Sequence, residues 1–95
     1  MGIFNALSSI GKINDLLKEI EFQLKIIGDM SENSVSNVRI QQEVEGLIRQ
    51  YKQLVALLEN SSAARTAVYT FLGSKTRSWG ILSFLNETIR ELKQY

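Results

Sequence analysis

Acid–base chemistry requires carboxylates that converge on one point, and this 95-residue chain contains three pairs of closely spaced glutamates. They are Glu19 with Glu21, Glu43 with Glu45, and Glu87 with Glu91. Members of the first two pairs are two residues apart, so on a helix they point in different directions and do not converge. The third pair shares a helical face, but the neighbouring Arg90 and Lys93 indicate a solvated, charged surface. The carboxylates therefore indicate no catalytic site.

Histidine and cysteine are both absent from the chain. Their absence excludes imidazole and thiolate metal sites, disulfides, and catalysis by a histidine base or a cysteine nucleophile. Di-metal sites in helical bundles also combine glutamate with histidine, and none is available here. We expect no enzyme activity, no metal or other cofactor, and no small-molecule substrate.

The segment from Asn60 to Asn86 carries basic residues and aromatic residues but no acid. Its cations are Arg65, Lys75 and Arg77, and its aromatic residues are Tyr69, Phe71, Trp79 and Phe84. Cations attract phosphate groups and aromatic rings can stack on bases, so the segment could contact a membrane surface or nucleic acid. The net charge is only +1 and the pI about 8.0, which disfavours nucleic acid.

The elements that position these residues follow from an apolar repeat that begins at Ile3. Apolar residues recur at alternating steps of three and four up to Ile27, which predicts a first helix over about 3–27 that packs against partner helices. Gly28 is predicted to end this helix, and the polar residues 29–34 to connect it to the next one. The repeat comprises Ile3, Ala6, Ile10, Ile13, Leu17, Ile20, Leu24 and Ile27.

Phe22 and Ile26 lie four residues apart on the side of this helix that faces away from the repeat, and Met30 continues in their direction. Two interpretations remain open. A further segment of the chain covers these side chains, or they form an exposed apolar strip for dimerisation or partner binding.

A second helix is predicted from Ser34 or Ser36, either of which could cap it, to about Glu59. It repeats the same spacing with Ile40, Val44, Leu47, Tyr51, Leu54 and Leu58. The two helices are similar in length and joined by a short polar link, so we expect an antiparallel pair with a shared apolar face.

The last third of the chain predicts a short third helix over 63–72 and a fourth helix that begins near Ser78. Between them, residues 73–78 are polar and poor in helix formers, which favours a break over a continuous, kinked helix. The inner side of the fourth helix is predicted to carry Leu82, Leu85, Ile89 and Leu92.

Together these patterns predict a single all-α domain over residues 1–95. It is a small antiparallel bundle of four helices with a short third, or of three helices with a kinked last one. We expect a non-enzymatic, cytoplasmic protein that acts through protein–protein interaction and self-associates. The alternative is a bundle that contacts a membrane surface or nucleic acid around Lys75–Trp79. The predicted interaction residues are Phe22, Ile26, Met30, Arg65, Lys75, Arg77 and Trp79.

Overall fold

The computed structural model describes the backbone of residues 2–94 and the side chains of residues 8–94. It contains the helices α1 (Gly2–Glu32), α2 (Asn37–Glu59), α3 (Ser62–Thr66) and α4 (Ser78–Leu92). Strands β1 (Val68–Phe71) and β2 (Ser74–Arg77) form a small antiparallel hairpin between α3 and α4. The fold is thus predominantly α-helical, which confirms the predicted class, and the hairpin is an addition that the sequence pattern did not predict.

Helix α1 continues past Gly28, so the predicted end of the helix was wrong. The helix ends where Ser34 adopts a left-handed conformation with φ of 57°. The amide of Val35 then donates to the Met30 carbonyl at 3.1 Å and that of Ser34 to Ser31 at 3.4 Å. This is the Schellman arrangement, which satisfies the last helical carbonyls.

The predicted pairing of the first two helices is confirmed. Ser36 caps α2, because its side-chain oxygen accepts a hydrogen bond from the Arg39 amide at 3.4 Å. The apolar repeats of α1 and α2 meet in one core, although the side chains of Ile3 and Ala6 lie outside the described residues. Core residues from these helices are Ile13, Leu16, Leu17, Ile20, Ile27, Ile40, Val44, Leu47, Leu54 and Leu58.

The prediction of a helix over 63–72 was wrong beyond Thr66. Residues 68–71 are β-branched or aromatic and alternate between exposed and buried, as expected of a half-buried strand. Leu72 and Gly73 form a two-residue turn in which both φ angles are positive, at 52° and 80°. Such a turn matches the twist of antiparallel strands and closes the hairpin.

The hairpin and α4 complete the core from above the α1–α2 pair. Strand β1 packs on α1, and α4 packs on α2. Tyr69 and Phe71 are buried, and the Tyr69 hydroxyl donates to the Ala64 carbonyl at 2.6 Å. On α4, Ile81 is buried in place of the predicted Leu82, which is only partly covered. The hairpin and α4 are therefore fixed to the α1–α2 pair by apolar packing.

Candidate interaction surfaces

Acidic residues in the described part of the chain do not form a group of three or more that could hold a metal ion. Glu87 and Glu91 are exposed on α4, as the sequence suggested. Glu21 and Glu43 instead hold parts of the fold together. The Glu21 carboxylate accepts from the Leu72 amide at 2.6 Å, and Glu43 accepts from the Gln23 side chain at 2.6 Å. The two carboxylates therefore have structural partners on other elements.

Phe22 lies on an open surface formed by α1 and α2, which we call the α1–α2 face. The Phe22 side chain is 58% exposed, and the other described residues leave most of it uncovered. A groove of about 640 Å³ runs beside it. The groove is lined on α1 by Lys18, Glu19, Phe22 and Gln23, and on α2 by Gly46, Arg49, Gln50 and Gln53.

One of the residues that line this groove, Gln50, carries an unsatisfied polar atom. The Gln50 side-chain oxygen is buried and has no hydrogen-bond partner among the described residues. Buried polar atoms in proteins are nearly always paired, so an unpaired one requires an explanation. The side-chain nitrogen of Gln23, which lines the same groove, donates to both the main-chain carbonyl and the carboxylate of Glu43. Gln50 therefore carries an unpaired acceptor beneath the α1–α2 face.

The other two members of the predicted apolar strip are less exposed than Phe22. Ile26 is partly buried. Met30 is also partly buried and packs against the main core. The exposed strip predicted from the sequence is thus reduced to Phe22, with Ile26 at its margin.

No protein-family model, curated protein or solved structure matches this chain. Its function therefore has to be inferred from the chemistry of its own surfaces.

A second surface is the outward side of the hairpin, which we call the hairpin face. Residues that alternate along a strand point to opposite sides, so Lys75 and Arg77 emerge on the same side. They lie opposite Thr70 and Val68, respectively, in the antiparallel register. All four side chains are exposed. The helix break predicted from the sequence did not indicate that the two cations share a face.

Trp79 lies at the base of the hairpin face, just inside α4, and is 64% exposed. The Arg77 guanidinium carbon lies 5.9 Å from the centre of its ring, within the range of a cation–π contact. Arg77 also donates to the Thr66 carbonyl. Three of the predicted residues, Lys75, Arg77 and Trp79, are thus brought together by the structure.

Arg65 was predicted to belong to this basic group, but in the structure it binds main-chain carbonyls instead. Its guanidinium donates to the carbonyls of Leu58 and Glu59, each at 3.0 Å. These carbonyls lie at the C-terminal end of α2, where helix carbonyls lack partners within the helix and favour a cation. Arg65 therefore caps α2.

Two features near the hairpin were not predicted. The first is the turn residue Leu72, which is 49% exposed at the tip. The second is an apolar groove of about 380 Å³ between α2, α3 and α4, with Val55, Leu58, Trp79 and Leu82 in its lining. The sequence signals for the hairpin were the β-branched and aromatic residues 68–71 and the glycine that follows at position 73.

Within the described residues, no helix is both long enough and apolar enough to cross a lipid bilayer.

Proposed function

We propose that this protein is a non-enzymatic interaction module that self-associates through the α1–α2 face. The observation that carries the proposal is the exposure of Phe22 beside an open groove between the two longest helices. Aromatic residues in such positions are enriched at protein interfaces, where they contribute a large share of the binding energy.

Gln50 supports the same surface independently. Its side-chain oxygen, which has no partner in the single chain, would gain a hydrogen bond if the Gln50 side chain turned toward a donor from a second copy. The face itself offers such donors, including Lys18, Arg49 and Gln53. A surface that carries both an apolar anchor and matching polar groups is suited to an isologous dimer, in which the same patch serves both partners.

The size of the molecule is compatible with this arrangement. Its principal extents are 48 × 22 × 18 Å. The area of its broadest side, 48 × 22 Å, exceeds the roughly 800 Å² that each partner buries in a standard interface. A chain of 95 residues also buries a limited fraction of its surface by itself, and association adds buried apolar area.

The first test is the solution mass of Phe22→Asp, measured by light scattering across a dilution series. We expect the wild-type chain to be dimeric or larger at high concentration and Phe22→Asp to be monomeric, because the change removes the aromatic anchor and the interface would have to desolvate a charge. The fold should remain intact, since Phe22 is mostly exposed in the single chain.

Val38→Asp is the matched control. Val38 is 71% exposed at the start of α2 and does not line the groove, so the same change there should leave the mass unchanged. A wild-type chain that is monomeric at every concentration would contradict the proposal. So would a Phe22→Asp variant that associates as strongly as the wild type.

A further inference from the structure

We infer that the hairpin face, with Leu72 at its tip and Trp79 at its base, binds the surface of an anionic lipid bilayer. The inference concerns a different surface from that of the proposed self-association. It rests on three observations: the strained backbone of Leu72, the exposure of apolar side chains around the hairpin, and the placement of the cations.

Leu72 adopts a left-handed conformation with φ of 52°. For a residue with a bulky side chain this conformation is costly, and turns of this type normally contain Asn, Asp or Gly at that position. Packing of the leucine side chain offsets little of this conformational energy, since about half of the side chain is exposed. The turn requires this backbone conformation but not a leucine, and a strained residue at such a position indicates a functional role for its side chain.

Two further apolar side chains lie around the same hairpin. Val68 is 50% exposed on the hairpin face, and Trp79 is exposed at its base. Leu72, Val68 and Trp79 are spread from the tip of the hairpin to its base. A bilayer interface accepts such a protruding arrangement, and tryptophan in particular favours the headgroup region.

Lys75 and Arg77 lie between these apolar groups on the same outward face. The chain from Asn60 to Asn86 contains no acid, so the cations of the hairpin meet no opposing charge from its own segment. From outside this segment, the Glu21 carboxylate accepts a hydrogen bond from the Leu72 amide, and Glu59 lies in the lining of the groove beside Trp79. The alternation of cations and apolar groups is complementary to anionic headgroups above acyl chains.

Nucleic acid is the less suitable occupant of this face. Two neighbouring cations give little phosphate attraction, and the aliphatic side chains of Val68 and Leu72 cannot stack on bases. A lipid surface uses all five side chains of the patch, which are Val68, Leu72, Lys75, Arg77 and Trp79.

The experiment titrates the chain with vesicles of phosphatidylcholine, with and without phosphatidylserine, and follows tryptophan fluorescence. Trp79 is the only tryptophan, so its emission reports directly on this surface. We expect a blue shift with the anionic vesicles that is weakened by salt. Lys75→Ala and Arg77→Ala should each lower the partition coefficient about fivefold, as expected for one cation near an anionic surface.

Leu72→Asn separates a role in binding from a role in folding. Asparagine tolerates the left-handed conformation, so the variant should denature at a higher denaturant concentration while it binds anionic vesicles several-fold more weakly. Arg90→Ala and Lys93→Ala remove the same charge from the distant end of α4 and should leave binding unchanged.

Three results would overturn the inference: no blue shift with any vesicle, wild-type binding by Leu72→Asn, or binding to an oligonucleotide without binding to anionic vesicles. The Phe22→Asp chain provides an independent check. If it is monomeric yet still shifts its fluorescence with anionic vesicles, the two surfaces act separately, and a failure of one proposal leaves the other standing.

Discussion

Gly80 is the residue at which α4 and the hairpin approach most closely. A Cβ atom added there would lie 2.6 Å from the Thr76 side-chain oxygen, well inside the normal contact distance. The hairpin can therefore pack against the first turn of α4 only if position 80 lacks a side chain or if Thr76 moves away.

Gly80→Ala is accordingly expected to lower the free energy of unfolding by about 1 kcal/mol, because Thr76 must leave its position. Combining it with Thr76→Ala should restore stability, since the clash disappears and alanine favours the helix by about 0.5–1 kcal/mol relative to glycine. Chemical denaturation of both single variants and the double variant measures the coupling. Additive effects would mean that the two residues do not compete for the same space.

Tyr69 is the buried polar group that joins the hairpin to α3. Burial raises the pKa of its hydroxyl above the ordinary value of 10.0, because the charged form is poorly solvated. The hydroxyl also donates to the Ala64 carbonyl. At alkaline pH the unfolded chain therefore loses this proton before the folded protein does.

The sign of the effect follows from this difference in pKa. The stabilisation is fully present below about pH 10 and is lost as the pH rises through the raised value in the folded protein. We expect Tyr69→Phe to cost about 1 kcal/mol at neutral pH, and to show a shallower loss of stability above pH 10 than the wild type. Denaturation with guanidinium chloride at neutral and alkaline pH measures both. An equally steep alkaline loss in the variant would remove Tyr69 as its source.

At the scale of elements, the glycines of α1 and of the hairpin turn differ in backbone conformation although both are sterically free. An added Cβ would meet no atom within 4 Å at Gly28 or at Gly73. Only Gly73 has a positive φ, of 80°, whereas Gly28 is an interior residue of α1. Helix α1 therefore continues through Gly28 to Glu32, and the left-handed Ser34 stops it, whereas the hairpin turns at Gly73.

Alanine substitution distinguishes these two positions. Gly28→Ala should raise the free energy of unfolding by about 0.5–1 kcal/mol, because alanine is the better helix former. Gly73→Ala should lower it by about 1 kcal/mol, because alanine resists the left-handed conformation. Thermal or chemical denaturation of the pair checks the expectation. A loss of stability in Gly28→Ala would restore Gly28 as the end of the helix.

The hairpin also explains how the two candidate surfaces are divided among the elements. The α1–α2 face belongs to the two longest helices, and the hairpin face to β1, β2 and the start of α4. On α2, the groove residues Gly46 and Gln53 lie on a different flank from Gln41, which donates to the Leu92 carbonyl of α4. The hairpin and α4 therefore leave the groove flank of α2 uncovered by other described residues.

At the scale of the whole molecule, self-association through that free flank has a thermodynamic signature. A native dimer is stabilised by mass action, so the midpoint of thermal unfolding should rise with the concentration of the wild-type chain. In Phe22→Asp the midpoint should be independent of concentration. This comparison tests the proposed assembly without relying on the mass alone.

The sequence by itself determined the helical framework. The three-and-four spacing in α1 and α2 is long enough to distinguish a helix from a strand, and the two candidate caps, Ser34 and Ser36, indicated where the second helix begins. The start of α4 at Ser78 and the burial of Leu85 and Ile89 followed from the same periodicity. Long amphipathic helices are specified mainly by their own residues, because each turn repeats the same burial pattern.

Only the tertiary structure determined the conformation of residues 67–77 and the surfaces that they form. Ala64, Val68 and Phe71 fit a helical spacing as well as a strand, and the segment is too short for periodicity to distinguish them. Contacts with α1 and α4 select the strand, which buries Tyr69 and brings Lys75 and Arg77 onto one face. The exposure of Phe22 and the capping role of Arg65 likewise depend on which neighbours pack nearby. Such outcomes are set by contacts between residues distant in the sequence, which local patterns do not encode.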